Sequence, residues 1–179
     1  MKSGKLFIQV QLLILPLLFF SQIAAAQEDT EDKKDLKPLG SFHIGSLLPN
    51  QFDGVTEIQP MFGFRYATPY RGKSLVEFGA AVSKAEGVDL FDGTVSFRGN
   101  FPVEDFIMLA YIGIDLYYYS PPDEDFQLGY GGHVGGGFIA HVVDVVYFRS
   151  DMKFGINPGT SLYIGFGIEI EFSEGSKDK

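Results

Sequence analysis

Residues 161–172, SLYIGFGIEIEF, constrain the fold more than the other stretches of this sequence. Every second residue is bulky and apolar, and the residues between are serine, tyrosine, glycine or glutamate. A period of two over this length predicts a β-strand with one apolar face. Strands in soluble sandwiches usually have about 5–6 residues, whereas a tilted strand needs about 9–11 to cross a bilayer. The stretch is therefore long enough to span a membrane, with its apolar side towards lipid and its polar side towards a lumen.

Seven earlier segments have the same alternation and are separated by residues that favour turns. The eight predicted strands are 40–48, 56–67, 74–84, 89–101, 106–118, 126–138, 145–156 and 161–172. Glycine occurs 22 times and would cost about 1 kcal/mol per position in a helix, so helices are disfavoured. Pro60 predicts a bulge or a break in pairing, because proline cannot donate to a sheet ladder. The pattern predicts an all-β fold: an eight-stranded antiparallel up-and-down transmembrane β-barrel with a side-chain-filled polar lumen.

The N-terminus has the three parts of a secretory signal. Lys2 and Lys5 precede the apolar residues 6–20, and Ala24 and Ala26 form an A-x-A cleavage site. The predicted plan is a signal peptide at 1–26, an acidic periplasmic linker at 27–38, the barrel at 39–172 and a polar tail at 173–179. Export follows from this plan.

Charge and cysteine content exclude other classes of protein. The 14 basic residues include Lys2 and Lys5, which leaves 12 against 23 acidic residues after cleavage. Such an acidic chain lacks the basic surface that nucleic-acid binding requires, so we expect no nucleic-acid partner. There is no cysteine, and a closed hydrogen-bonded barrel does not need disulfides.

The C-terminal stretch FRSDMKFGINPGTSLYIGFGIEIEF resembles the closing hairpin of small eight-stranded outer-membrane barrels of the OmpA/OmpX type. The resemblance covers about residues 39–172. It implies the outer membrane of a Gram-negative-type bacterium as the location, the lipid bilayer as the environment and the barrel-assembly machinery as a partner. It also implies an assembly signal formed by Phe166, Ile168, Ile170 and Phe172. Seven residues follow Phe172, where members of that family often end.

The alternation predicts a network of charged side chains inside the lumen. Its members are Glu57, Arg65, Glu77, Asp92, Arg98, Asp115, Arg149, Asp151, Lys153, Glu169 and Glu171. Counting from each turn gives three neighbouring pairs: Arg65 with Glu77, Arg149 with Glu169, and Asp92 with Asp115. We interpret the network as a salt-bridged plug, because side chains can fill an eight-stranded barrel. The alternative is a narrow cation-preferring channel, which the acidic excess would favour.

Enzymatic and ligand-binding functions have weaker support. His43 is expected to face inward near Glu169 or Glu171, but no spacing marks a nucleophile, and we expect neither catalysis, a cofactor nor a metal. A soluble exported barrel of the lipocalin or streptavidin type, binding an apolar ligand, would need the bulky apolar residues inside and the charges outside. The sequence favours an integral outer-membrane protein with a structural or surface-interaction role, whose external partner it does not identify.

Overall fold

The computed structural model describes residues 36–50, 55–121, 125–156 and 159–172, which form eight β-strands. The strands are β1 (Leu39–Asn50), β2 (Gln59–Arg71), β3 (Ser74–Ala85), β4 (Val88–Val103), β5 (Phe106–Ser120), β6 (Gln127–Val143), β7 (Val146–Ile156) and β8 (Thr160–Glu171). Each pairs antiparallel with the next, and β1 also pairs with β8. The predicted closed, eight-stranded, up-and-down barrel is confirmed.

In the described part of the chain, no helix is long and apolar enough to cross a membrane.

Several predicted segments fall outside the residues that the structure describes. These are the signal peptide with Ala24 and Ala26, the first part of the linker at 27–35, and the polar tail at 173–179. Residues 36–38 are described and lead directly into β1.

The strands form where the alternation predicts them. Successive side chains of a strand point to opposite faces, so the apolar residues share one face and the smaller or polar residues share the other. β4, β5 and β6 extend beyond their predicted ends, to Val103, Ser120 and Val143. Pro60 lies opposite Ser46 without a shift in register. The paired residues of β2 and β3 begin only at Phe62, and the irregularity in that ladder lies between Pro69 and Arg71. Pro60 therefore has no bulge, but it is unpaired on its β3 side, as the predicted break in pairing requires.

The two ends of the barrel differ in their connections. The terminal end, where β1 begins and β8 ends, has the short turns 72–73, 104–105 and 144–145. The loop end has the connections 51–58, 86–87, 121–126 and 157–159. At 86–87 both residues have positive φ, 51° at Glu86 and 78° at Gly87. This backbone matches the twist of a two-residue hairpin and favours glycine at the second position.

Inward-facing glycines make room for large rings across the lumen. A Cβ added to Gly45 would lie 2.6 Å from Cε2 of Tyr163, and one added to Gly63 would lie 2.6 Å from Cε1 of His43. Gly135 underlies the Tyr111 ring in the same way. The glycines thus let a narrow barrel hold bulky side chains.

Gly137→Ala is expected to destabilise the barrel, since its new methyl group would collide with the backbone of Ser150 and Asp151. The expected loss is about 1–3 kcal/mol of unfolding free energy, measured by urea titration in detergent. Gly132→Ala is the matched control on β6, because the nearest atom to its added Cβ is a backbone oxygen at 3.6 Å. Equal stability of the two variants would contradict the packing described.

Candidate functional site

The interior of the barrel is layered, with charged side chains between apolar ones along the strands. Near the loop end lies a buried apolar cluster: Leu47, Val55, Met61, Ala81, Val88, Leu90, Tyr117, Tyr119 and Tyr163. Towards the terminal end lie two more, Leu39, Ala67 and Leu75 with Leu36, and Leu109, Tyr111 and Ile139 with Ile107 and Tyr147. Val55 belongs to the connection between β1 and β2, so a residue outside the strands also helps to fill the loop end of the lumen.

Two charged clusters occupy the space between the apolar layers. The arginine cluster comprises Arg65, Glu77, Arg98, Arg149, Asp151 and Glu169. The lysine cluster comprises Asp92, Ser96, Asp115, His133 and Lys153. Every member is buried.

Arg98 on β4 is the most enclosed cation of the arginine cluster, with a fully buried side chain. Its Nη1 and Nη2 donate to the two carboxylate oxygens of Glu169 on β8 at 2.8 and 2.9 Å. Nη1 also donates to Glu77 at 2.9 Å, and Nε donates to the Asn100 side chain at 2.9 Å. The paired contact to Glu169 is the fork geometry that binds a carboxylate most strongly, and it connects strands on opposite sides of the lumen.

Arg149 on β7 completes the arginine cluster. It donates to Glu77 at 2.6 and 3.1 Å, to Asp151 at 2.8 Å and to Glu169 at 3.1 Å. Arg65 donates to Asp151 at 2.6 Å. Three guanidinium groups thus face three carboxylates. Such balance is needed because an unpaired charge away from water costs far more than a paired one.

Lys153 holds the lysine cluster together. Its Nζ donates to Asp92 Oδ2 at 2.7 Å and to Asp115 Oδ1 at 2.8 Å. His133 Nδ1 lies 2.9 Å from the same Asp115 oxygen, in a short contact that is not aligned as a hydrogen bond. His133 Nε2 is hydrogen-bonded to Ser96 Oγ at 2.8 Å.

Nine of the eleven residues predicted for the lumen network lie in these two clusters. Glu57 does not, because it precedes β2 and is exposed, so its predicted inward position is wrong. Glu171 lies at the terminal end, where its partly exposed carboxylate accepts a hydrogen bond from Lys37 at 2.7 Å. That hydrogen bond raises the pKa of Lys37. Glu171 therefore belongs to the rim and not to the buried network.

His43 does not form the predicted pair with Glu169 or Glu171. It lies opposite Gly167 and packs edge-on against Tyr163, while Glu169 bonds to arginines. The serine, histidine and carboxylate that do come together are Ser96, His133 and Asp115, on three successive strands. Residue spacing alone did not indicate them, although β4–β5–β6 pairing places Ser96 and His133 opposite the same residue, Gly113.

Ser96, His133 and Asp115 are the residue types of a hydrolase triad, and they lie beside a small cavity. The adjoining cavity has a volume of ≈ 20 Å³, close to that of one water molecule. Apolar clusters lie towards both ends of the lumen. Among the described residues, no group of three histidine, cysteine, aspartate or glutamate side chains could hold a metal ion.

The outer face of the barrel is apolar. Its exposed residues include Phe42, Phe62, Phe64, Phe78, Ile114, Leu116, Leu128, Tyr130, Met152, Phe154, Ile164 and Phe166. The residues predicted as an assembly signal lie on the same face or at its edge, with Phe166, Ile168 and Phe172 exposed and Ile170 half-buried. The Phe172 ring covers Gly40, and the backbone N–H of Phe172 donates to the backbone carbonyl of Pro38 at 2.9 Å.

No protein-family model matches the sequence, and no curated protein is significantly similar to it in sequence. Solved structures do match the fold. The N-terminal β-barrel domain of OprF from Pseudomonas aeruginosa aligns with a TM-score of 0.63 at 8% identity, covering 76% of this chain and 98% of that domain. Neisserial surface protein A aligns with a TM-score of 0.60 at 10% identity, covering 75% of this chain and 96% of that one.

The outer membrane protein OprG of Pseudomonas aeruginosa aligns with a TM-score of 0.57 at 12% identity, covering 76% of this chain and 97% of that one. The chain therefore has the fold of eight-stranded outer-membrane barrels, as the resemblance of its C-terminal stretch implied. At these identities the likeness concerns the fold alone.

Proposed function

We propose that this protein is exported to the bacterial outer membrane and spans it as a side-chain-filled barrel with a structural or surface-interaction role. The observation that carries the proposal is the distribution of side chains. Bulky apolar residues cover the outside, for example Ile114, which is 64% exposed, while arginines and carboxylates are buried inside. Water around this outer face would be costly over its whole area, whereas lipid is a favourable environment for it.

The dimensions and the ends of the barrel support the same environment. The strands have 11 to 17 residues, enough to cross a bilayer at a tilt. β1 begins and β8 ends at the end with the shorter turns, which in outer-membrane barrels faces the periplasm. Tyr66 and Tyr70 near this end, and Tyr118 and Tyr130 near the other, are exposed. Tyrosines at these depths are expected at the two membrane interfaces.

The soluble lipocalin-like alternative is disfavoured by the same faces. An apolar ligand needs an apolar cavity, but the cavity here is of water size and is lined by charged residues such as Asp92, Arg65 and Lys153. Barrel-assembly machinery as a partner is supported by the terminal aromatic Phe172 and the alternating residues before it.

Heating and fractionation test the membrane assignment. The protein should sediment with outer membranes and require detergent for extraction. On gels, the unboiled protein should migrate differently from the boiled one, because a closed barrel resists unfolding by detergent alone. Recovery from the aqueous periplasmic fraction without detergent would contradict the proposal.

A narrow cation channel is the second candidate, favoured by the five carboxylates and four cationic side chains of the two clusters. We expect no steady conductance in planar bilayers, because buried apolar side chains such as Leu47 and Leu75 lie on either side of the charges. Steady cation-selective steps that change in Glu169→Gln would favour the channel instead.

Catalysis is not part of the proposed function, although Ser96, His133 and Asp115 lie close together. A serine-directed fluorophosphonate probe should leave Ser96 unmodified in the folded barrel, since the probe is far larger than the adjoining cavity. Labelling that is lost in Ser96→Ala would show that the lumen opens and would support a hydrolase.

A further inference from the structure

A small cavity lies in the middle of the lumen, beside both charged clusters. Its volume is ≈ 20 Å³, and its lining includes His43 on β1, Asp92, Thr94 and Ser96 on β4, and Tyr163 on β8. A polar cavity of this size can hold one water molecule if two to four polar groups face it. A bound water therefore requires lining atoms that are free to form hydrogen bonds.

Four lining residues have a buried polar atom with no hydrogen-bond partner in the protein, and in His133 that atom, Nδ1, is in contact with Asp115 at 2.9 Å. The other three have no such contact: His43 Nδ1, Asp92 Oδ1 and Tyr163 Oη. The residues are only 8%, 4% and 4% exposed. Leaving such atoms unsatisfied is costly, and native proteins rarely do so. Three unsatisfied atoms around one cavity therefore point to a bound molecule and not to three separate defects.

The types of atom favour water over a cation. The carboxylate oxygen of Asp92 only accepts hydrogen bonds, a tyrosine hydroxyl can donate, and a neutral imidazole nitrogen can do either. Water can donate two hydrogen bonds and accept two, so it fits this mixed set. A second cation would be repelled by Lys153, whose ammonium group already lies 2.7 Å from Asp92 and 2.8 Å from Asp115.

We propose that this cavity binds one ordered water molecule, held by His43, Asp92 and Tyr163. The site links the lysine cluster, through Asp92, to the side of the lumen where the Tyr163 ring packs under the Arg65 guanidinium at 5.8 Å. The lumen is then hydrated at its centre although apolar side chains lie towards both ends. This inference does not depend on the membrane location, since it concerns only the interior.

Tyr163→Phe tests the site by the sign of its effect. If the water accepts from the hydroxyl, removing that hydroxyl should lower the folding equilibrium constant about fivefold, the size of one hydrogen bond. If the cavity is dry, the variant removes a buried unsatisfied hydroxyl and should fold more stably than the parent. Tyr118→Phe, on the exposed outer face of β5, is the control and should change little.

Crystal structures from detergent solution test the site directly. The parent should show one density peak within hydrogen-bonding distance of Asp92 Oδ1. Ala81→Val, which fills the cavity, should remove the peak, whereas Ala110→Val, on the outer face of β5 and not part of the cavity lining, should keep it. No peak in the parent would overturn the proposal. A thallium(I) soak giving an anomalous peak at this position would also overturn it, because the occupant would then be a cation.

Discussion

Replacing Arg98 by methionine is expected to destabilise the barrel more than other single changes in the lumen. The substitution keeps much of the volume but removes the paired donors to Glu169 and the contact to Glu77. The arginine cluster would then hold three carboxylates against two guanidinium groups. Breaking a buried pair by removing one partner costs about 3–5 kcal/mol, which urea titration in detergent should detect.

A double variant separates the charge effect from lost packing. In Arg98→Met with Glu169→Gln, the excess negative charge is gone, so the pair should recover part of the loss seen with Arg98→Met alone. Arg71→Met is the control, because Arg71 is exposed at the terminal end and should lose less than about 0.5 kcal/mol. If Arg98→Met were as mild as Arg71→Met, the buried charge network would not hold the lumen together.

Phe166→Arg is expected to have the second large effect, on the outer face. Phe166 is 52% exposed near the middle of β8, where an arginine facing lipid costs about 2–4 kcal/mol. Ile168→Arg, closer to the terminal end, should cost less, because the penalty falls towards the interface. The measurement is the unfolding free energy of each variant in lipid vesicles.

The same two variants discriminate between lipid and water as the surroundings. In a soluble barrel, exchanging an exposed apolar residue for arginine changes stability by no more than about 0.5 kcal/mol. Asn50→Arg, at the exposed loop-end tip of β1, is the control and should be tolerated in either environment. Equal stability of Phe166→Arg and the parent in vesicles would contradict the inside-out arrangement.

The architecture was predictable from the sequence because it depends on local alternation. In β8, residues such as Phe166 and Glu169 lie on opposite faces whatever their neighbours are. A single strand of that length already predicts a membrane environment. The same rule was wrong for Glu57, because the alternation already starts before β2, in a connection that is exposed. Strand ends are set by pairing with neighbouring strands, and the alternation within one segment carries no information about that pairing.

The contacts inside the lumen were only partly predictable, because they cross it. Register from adjacent turns places Arg65 near Glu77, and these residues do come within 3.9 Å. It does not indicate that Arg98 reaches Glu169 four strands away, or that Lys153 bridges Asp92 and Asp115. Such contacts depend on the width of the closed barrel and on the space that inward glycines leave.

A tryptophan placed at Ile114 tests the central claim most directly, that the apolar face lies in lipid. The protein has no tryptophan, so Ile114→Trp reports from a single position on the exposed middle of β5. In vesicles of lipids brominated along the acyl chain, its fluorescence should be strongly quenched. Tyr147→Trp, which lies inside the barrel at its terminal end, should be quenched much less. Strong quenching only at Ile114 is the predicted result, and equal, weak quenching at both positions would contradict the account.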